Sequence, residues 1–352
     1  MDILSAIRAH VVRGWVNPGL RVDGRVGVGI LGAVGGDHWW QSPSLRDGLL
    51  VALDLINDAR AAPRRRPGWE LAACADYFRA LNQLANCLDG TMPPLPPHPD
   101  RPNVPGRRTE SIKHQNLLLE MTAADQRGLL GHPAVAAFAR FEPLVLDHGS
   151  PGMSQRIADL TEPVVQGASR QHREFRVSWL RWEERKSGTA QTLNKLIRAV
   201  LVVRNNIQHG EKTPSGPDVQ RRERNQAVGR VVLPILEAIV DAVLVRPSHR
   251  LAAYGTLRPA QPNQDEVSVA AGDWTEITLT GWLRNQSSFP AFEADVSGQR
   301  VPAALFTSAG LPMIWPRLDD FEGRNYERRL GLYECEGIVG VANVYEWVGE
   351  NW

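Results

Sequence analysis

The spacing of apolar residues changes character once along this chain, at residue 251, and that break limits the folds open to it. Between residues 42 and 245 the apolar positions recur at helical spacing, and no stretch alternates convincingly as a strand does. Beyond 251 the pattern switches. Residues 274–283, WTEITLTGWL, alternate and are rich in Thr and Ile, and turn signals at Ser297-Gly298 and Glu336-Gly337 divide further strand-like runs. A helical stripe and a two-faced strand bury their apolar surface differently, so the two halves need separate cores. A length of 352 residues fits two domains. The expected organisation is a Gly-rich segment of uncertain structure over 1–41, an all-α domain over 42–246, and a small α+β, β-barrel-like domain over 250–352.

In the helical part, Leu45, Leu49, Ala52 and Ile56 share one face, and Leu71, Tyr77, Leu81 and Leu84 share another. Further helices are expected over 109–121, 132–141, 155–165 and 171–187, the last with Trp179 and Trp182 on one side. The Pro-rich stretch near 90–107 suits neither helix nor central strand and reads as an extended surface loop. Residues 192–212 carry the apolar face Leu193, Leu196, Ile197, Val200 and Val203, then run into the polar sequence RNNIQHG. A long helix follows with Val228, Val232, Ile235, Ile239 and Val243 as its stripe and a bend at Pro234.

Composition narrows the functional classes. A net charge of +1 gives no global case for a polyanion partner, although Arg221, Arg222 and Arg224 form a local cluster suited to phosphate or to a solvated face. Three widely spaced cysteines argue against a disulfide framework. No run reaches the length of a membrane span, and the N-terminus lacks a signal-peptide core, so a cytoplasmic protein without membrane contact is expected. Gly27, Gly29 and Gly32 spell GxGxxG, but Gly35, Gly36 and two Trp follow where a dinucleotide site needs a helix. His and acidic residues show no regular metal-ligand spacing, so neither metal nor cofactor is expected.

The chemistry concentrates near the C-terminus. In residues 318–323, LDDFEG, Glu322 stands just before Gly323, which suits a helix stop, and Pro316 suits the first helical position. A carboxylate there faces the negative end of the helix dipole, which raises its pKa toward neutrality and fits it for proton transfer. Asp319 and Asp320 read as a solvated helix face. Upstream, residues 252–259, AAYGTLRP, end a short apolar run in a Gly-containing turn whose N–H groups can hold an anion. The ordered set of YGTLRP, then QPN (261–263), LDDFEG and Tyr326-x-Arg328 resembles the γ-glutamylcyclotransferase family, within it the γ-glutamylamine cyclotransferase-like branch. That resemblance implies a small barrel in which the substrate's α-amine attacks its own γ-carbonyl, giving 5-oxoproline and a free amine. Glu322 would be the acid/base, and Tyr254, Gly255, Thr256 and Leu257 would hold the glutamyl carboxylate and oxyanion. Tyr326 and Arg328 would contact the substrate or brace the site. The run 301–310, VPAALFTSAG, departs from the family's Gly-acidic-aromatic pattern and puts the pocket's shape in question.

Arg204, Asn205 and His209 form an R-N-x-x-x-H sequence near a helix end, in which Asn205 and His209 lie one turn apart. This resembles the HEPN group of all-α domains, whose nuclease members pair two such motifs across a symmetric dimer. The resemblance implies a homodimer through the helical domain, with His209 as acid/base and Arg204 steadying a phosphate of RNA. The alternative is that Arg204 and Asn205 brace the helix end of a non-catalytic domain. Three readings stand open on the sequence: a cyclotransferase acting on a γ-glutamyl small molecule or peptide, a metal-independent toxin- or defence-type ribonuclease, and a catalytically silent binding protein.

Overall fold

The structure is a computed structural model describing residues 43–62, 68–91, 95–96, 106–119, 121–140, 169–208, 219–286 and 289–349. The Gly-rich 1–41 stretch with its GxGxxG, the expected helix over 155–165, and His209 lie outside them. The chain divides into two compact units, Asp47–Ala242 and one that contains Val243–Trp352. Among the described residues no helix is long and apolar enough to cross a membrane.

The first unit is helical. Its helices are α1 (Pro43–Ala61), α2 (Trp69–Thr91), α3 (Glu110–Leu119), α4 (Ala123–Leu130), α5 (Pro133–Arg140), α6 (Arg170–Arg185), α7 (Thr189–Gln208) and α8 (Val219–Val243). The stripe of α7 is buried throughout, and α7 touches α2, α3, α4 and α6. Every apolar stripe residue named for α8 is buried too, and Pro234 sits inside that helix. Cys74 on α2 meets the Gly229 carbonyl of α8. Trp179 and Trp182 are both buried. The indole of Trp179 donates to the Leu130 carbonyl at 3.0 Å and that of Trp182 to Thr189 Oγ1 at 3.2 Å. Helix α4 has no counterpart among the sequence expectations, because its sequence AADQRGLL places polar residues and a glycine where an apolar stripe would show a period. Its signal is the cap: Thr122 Oγ1 accepts from Asp125 N at 3.0 Å, and Gln126 Nε2 reaches back to the Met121 carbonyl at 3.0 Å.

The second unit holds β1 (Arg250–Ala253), the one-turn helix α9 (Asp265–Ser268), β2 (Asp273–Gln286), β3 (Phe289–Ala294), β4 (Gln299–Thr307), α10 (Leu311–Glu322), β5 (Tyr326–Cys335) and β6 (Ile338–Trp347). The strands form one sheet in the order β3-β2-β4-β1-β6-β5, and pairing of Thr278 and Leu279 with Glu334 and Tyr333 closes it into a small barrel. β1 runs antiparallel to β4 and parallel to β6. The β5–β6 hairpin turns at Glu336-Gly337, both at positive φ, as a two-residue turn of this kind requires. Inside the barrel pack Ala252, Tyr254, Leu279, Phe292, Val301, Leu305, Tyr333 and Val344. Leu251, Ala253, Phe306 and Tyr345 face outward against Leu311, Trp315 and Leu318 of α10. Strand alternation therefore splits β1 between two cores, one inside and one under the helix.

One buried acid has no part in either core. Glu346 on β6 is 7% exposed, with Arg329 Nη1 3.8 Å from its Oε2. Burial pushes its carboxyl up to about 7, outweighing Arg329 and a backbone hydrogen bond at Ala294. Since the folded protein holds this proton more tightly than the unfolded chain, Glu346 weakens the fold as pH rises from the ordinary carboxylate range through 7. Glu346→Gln is expected to raise stability by roughly 1–3 kcal/mol at pH 8 and little at pH 4, read by urea denaturation at both pH values.

Candidate active site

Helix α10 begins at Leu311 with Pro312 in its first turn, and Pro316 lies inside it rather than at its start. The buried positions Leu311, Trp315 and Leu318 fall at i, i+4 and i+7, so packing against the barrel extends the helix upstream. Near the N-terminus most N–H groups have no helical partner, and Pro316 removes only one bond. At the other end Gly323 adopts φ 69° and ψ −171°, its N–H donating to the Asp319 carbonyl. A side chain at Gly323 would be strained by that backbone, and the stop aims Glu322 off the last turn.

Asp319 and Asp320 are exposed on the helix face, as expected, but Asp319 also has partners. It accepts the Tyr345 hydroxyl at 2.8 Å and Arg328 Nε at 2.8 Å, while the Arg328 guanidinium stacks on Trp315 at 4.5 Å. Trp315 Nε1 donates to the Ser248 carbonyl at 2.8 Å. The last turn of α10 is thus tied to β5 and β6 through the Arg328 of the sequence motif. Each bond is local, so loss of Asp319 alone is a modest effect: Asp319→Asn is expected to cost at most about 1 kcal/mol, measured by urea denaturation, because the ion pair is partly exposed.

A pocket of about 340 Å³ opens beside that helix end. Its floor is the segment running from Leu251 through Tyr254, Gly255, Thr256 and Leu257, and Glu322 stands in its wall. The sequence motifs separated along the chain therefore converge on one cavity. Among the described residues the N–H groups of Gly255, Thr256 and Leu257 donate to no carbonyl, whereas the Arg258 N–H already turns back to Gly255 O at 3.3 Å. Asn263, from the QPN sequence, fixes the loop by donating Nδ2 to Thr256 Oγ1 at 2.9 Å and its backbone N–H to the Thr256 carbonyl at 3.1 Å. Gly255 is required by close approach: a Cβ there would lie 2.7 Å from Pro290 Cγ. Tyr254 is buried and donates its hydroxyl to the Tyr345 carbonyl at 2.8 Å, so it shapes the floor and is not a free donor. Tyr326 lines the pocket and donates to the Pro290 carbonyl at 2.9 Å.

Glu322 is half-buried and has no hydrogen-bond or ion-pair partner among the described residues. Burial pushes its carboxyl up to about 7. Desolvation in the pocket supplies this rise, in the same direction as the expected effect of the helix dipole. Its charge in turn adds to burial in raising the Tyr326 hydroxyl. An uncommitted acid that titrates near neutral pH, in a cavity floored by free N–H groups, has the parts for proton transfer beside a bound anion.

Residues 251–351 match the family model described as Gamma-glutamyl cyclotransferase, AIG2-like. The C-terminal domain is similar to that family. No curated protein matches the chain. Solved structures similar to it include YkqA from Bacillus subtilis, 19% identical with a TM-score of 0.25, over 28% of this chain and 36% of that one. An uncharacterized protein from Pyrococcus horikoshii is 21% identical with a TM-score of 0.24, over 29% of this chain and 80% of that one. An AIG2-like protein from Mus musculus is 18% identical with a TM-score of 0.25, over 28% of this chain and 77% of that one. The chain thus spans about a third of the length of YkqA.

Several residues that line the pocket are not marked out by the sequence motifs. Pro290, Phe321, Asn325, Tyr345 and Trp347 all line it. Pro290 and Trp347 come from strands β3 and β6, and only the sheet register brings them to the floor loop. Phe321 was legible in principle, since it precedes Glu322 directly.

In the helical unit the second candidate set is only partly described. Arg204, 9% exposed, donates Nη2 to Asn205 Oδ1 at 2.7 Å and Nη1 to Glu110 Oε1. Burial alone would raise Glu110, but the hydrogen bond and charge of Arg204 outweigh it and hold its carboxyl below the usual range. These contacts join the end of α7 to the start of α3 and occupy the guanidinium.

Proposed function

We propose that the C-terminal domain converts a γ-glutamyl amine or related adduct to 5-oxoproline and the free amine. The observation that carries this is Glu322: an acid titrating near pH 7, without a partner, in the same cavity as the unpaired N–H groups of Gly255, Thr256 and Leu257. Those N–H groups bind the glutamyl α-carboxylate and the oxyanion. The Glu322 carboxylate takes a proton from the substrate's α-ammonium, and the freed nitrogen attacks the γ-carbonyl carbon. Glu322 then returns the proton to the departing nitrogen as the C–N bond breaks, and it relays the second proton of the new lactam nitrogen to the released amine, which leaves as an ammonium ion. No protein nucleophile is needed, because attack is intramolecular and the pocket supplies the folded-back conformation.

Release of 5-oxoproline from γ-glutamyl amines by the purified chain tests this reading, and its absence across a broad panel would sink it. The pH profile adds a sharper expectation. The base form of Glu322 is lost below its pKa, so kcat/KM is expected to rise with pH and level off above an apparent pKa of about 7. A profile flat from pH 5 to 8 would remove Glu322 from the proton-transfer step.

The ribonuclease reading gains no support here. Arg204 is engaged by Glu110 and Asn205, which favours its bracing role, and His209 lies outside the described residues.

A further inference from the structure

Resting on the cyclotransferase reading, we infer that the amine released carries an aromatic or arylalkyl group and no charge beyond its own nitrogen. The residues lining the pocket are of two chemical kinds. Thr256 and Asn263 of the floor region, together with Asn325, are polar, and the glutamyl end occupies the floor loop. Pro290, Phe321, Tyr326, Tyr345 and Trp347 supply apolar and aromatic lining.

Four of those five side chains are aromatic rings, and they are not independent of one another. Trp347 stands edge-on to Tyr326 with centroids 5.2 Å apart, and the Tyr326 hydroxyl is fixed on the Pro290 carbonyl. This wall is therefore pre-organised for the face or edge of another ring. Phe321 is 41% exposed on the last turn of α10, leaving apolar surface at the site for a ligand to cover.

Charge argues in the same direction. Glu322 is the sole Asp, Glu, Lys, Arg or His among the residues lining the pocket. Arg328 of the motif is committed to Asp319 and Trp315, and Arg258 and Arg324, which flank lining residues, do not themselves line the pocket. An amine bearing an amino-acid head, as in a γ-glutamyl-lysine adduct or a γ-glutamyl dipeptide, would bring an ammonium or carboxylate with no counter-charge to meet it. A pocket of about 340 Å³ also lies at the small end of ligand sites, enough for a glutamyl unit with a single compact substituent.

Initial rates of 5-oxoproline release from γ-glutamylmethylamide, γ-glutamylbenzylamide, ε-(γ-glutamyl)lysine and γ-glutamylglutamate test the inference. The benzylamide is expected to exceed both charged conjugates in kcat/KM by at least about tenfold. Phe321→Ala and Trp347→Ala are each expected to shrink that ratio, by raising KM for the benzylamide more than for the lysine conjugate. A wild-type enzyme that cleaves the methylamide but handles the lysine or glutamate conjugate as well as the benzylamide overturns this inference and leaves the cyclotransferase reading intact. Release from none of the four overturns both.

Discussion

Glu322→Gln is expected to lower kcat/KM for 5-oxoproline release by about 10²–10⁴-fold, the range general acid–base catalysis supplies. The amide keeps the size and shape of the side chain but can neither accept the α-ammonium proton nor return it to the leaving nitrogen. The expected loss lies in kcat, since the anion-binding N–H groups of Gly255, Thr256 and Leu257 are untouched. Stability should move the other way. Glu322 is raised to about 7 by burial alone, so ionising it opposes folding as pH rises from the carboxylate range through 7. The Gln variant should therefore melt no lower than wild type at pH 8. Low activity with a lowered melting temperature would instead point to a structural role for the carboxylate.

Trp315→Ala is expected to cost about 3–5 kcal/mol, the range for truncating a large aromatic in a core. Trp315 fills the space between α10 and the barrel, beside Leu311, Leu318 and Phe306. It also holds Ser248 through its indole N–H and stacks under Arg328, whose guanidinium fixes Asp319 one turn before Glu322. Loss of this ring removes packing and loosens the last turn that aims the acid. Urea denaturation should show a shifted midpoint, and the folded fraction should show reduced kcat. Asp319→Asn, which breaks the polar tie alone, serves as the milder comparison.

The helical half and the barrel half were legible because their apolar spacing differs. The stripes named for α7 and α8 are the buried faces, and the hairpin at Glu336-Gly337 turns where its residues said it would. What periodicity could not supply was a helix without a clear apolar stripe or anything set by register. Helix α4 spans barely two turns, and its Thr122 cap was the available sign. Pro316 was misplaced because a proline at N1 is the local preference, whereas burial of Leu311 and Trp315 decides where α10 begins. Asp319 is exposed as its position suggests, but its partners, Arg328 and Tyr345, lie on two later strands and are not legible locally.

The candidate site divides the same way. Glu322 and the loop 254–257 were readable since each is a contiguous motif with its own chemical sense. Their convergence on one pocket depends on α10 lying across β1, and the aromatic wall depends on β3 and β6 flanking the loop. Neither is written in local spacing. The burial that raises Glu322 is not legible locally for the same reason, since it is a property of the assembled pocket.

The central claim is that the γ-glutamyl bond is broken by the substrate's own amine and not by water. Turnover of γ-glutamylbenzylamide in ¹⁸O-water, with mass analysis of the products, tests it most directly. The expected product is 5-oxoproline without label, released in equal amount with benzylamine. Glutamate carrying ¹⁸O in its side-chain carboxyl would mean hydrolysis, and would contradict the account.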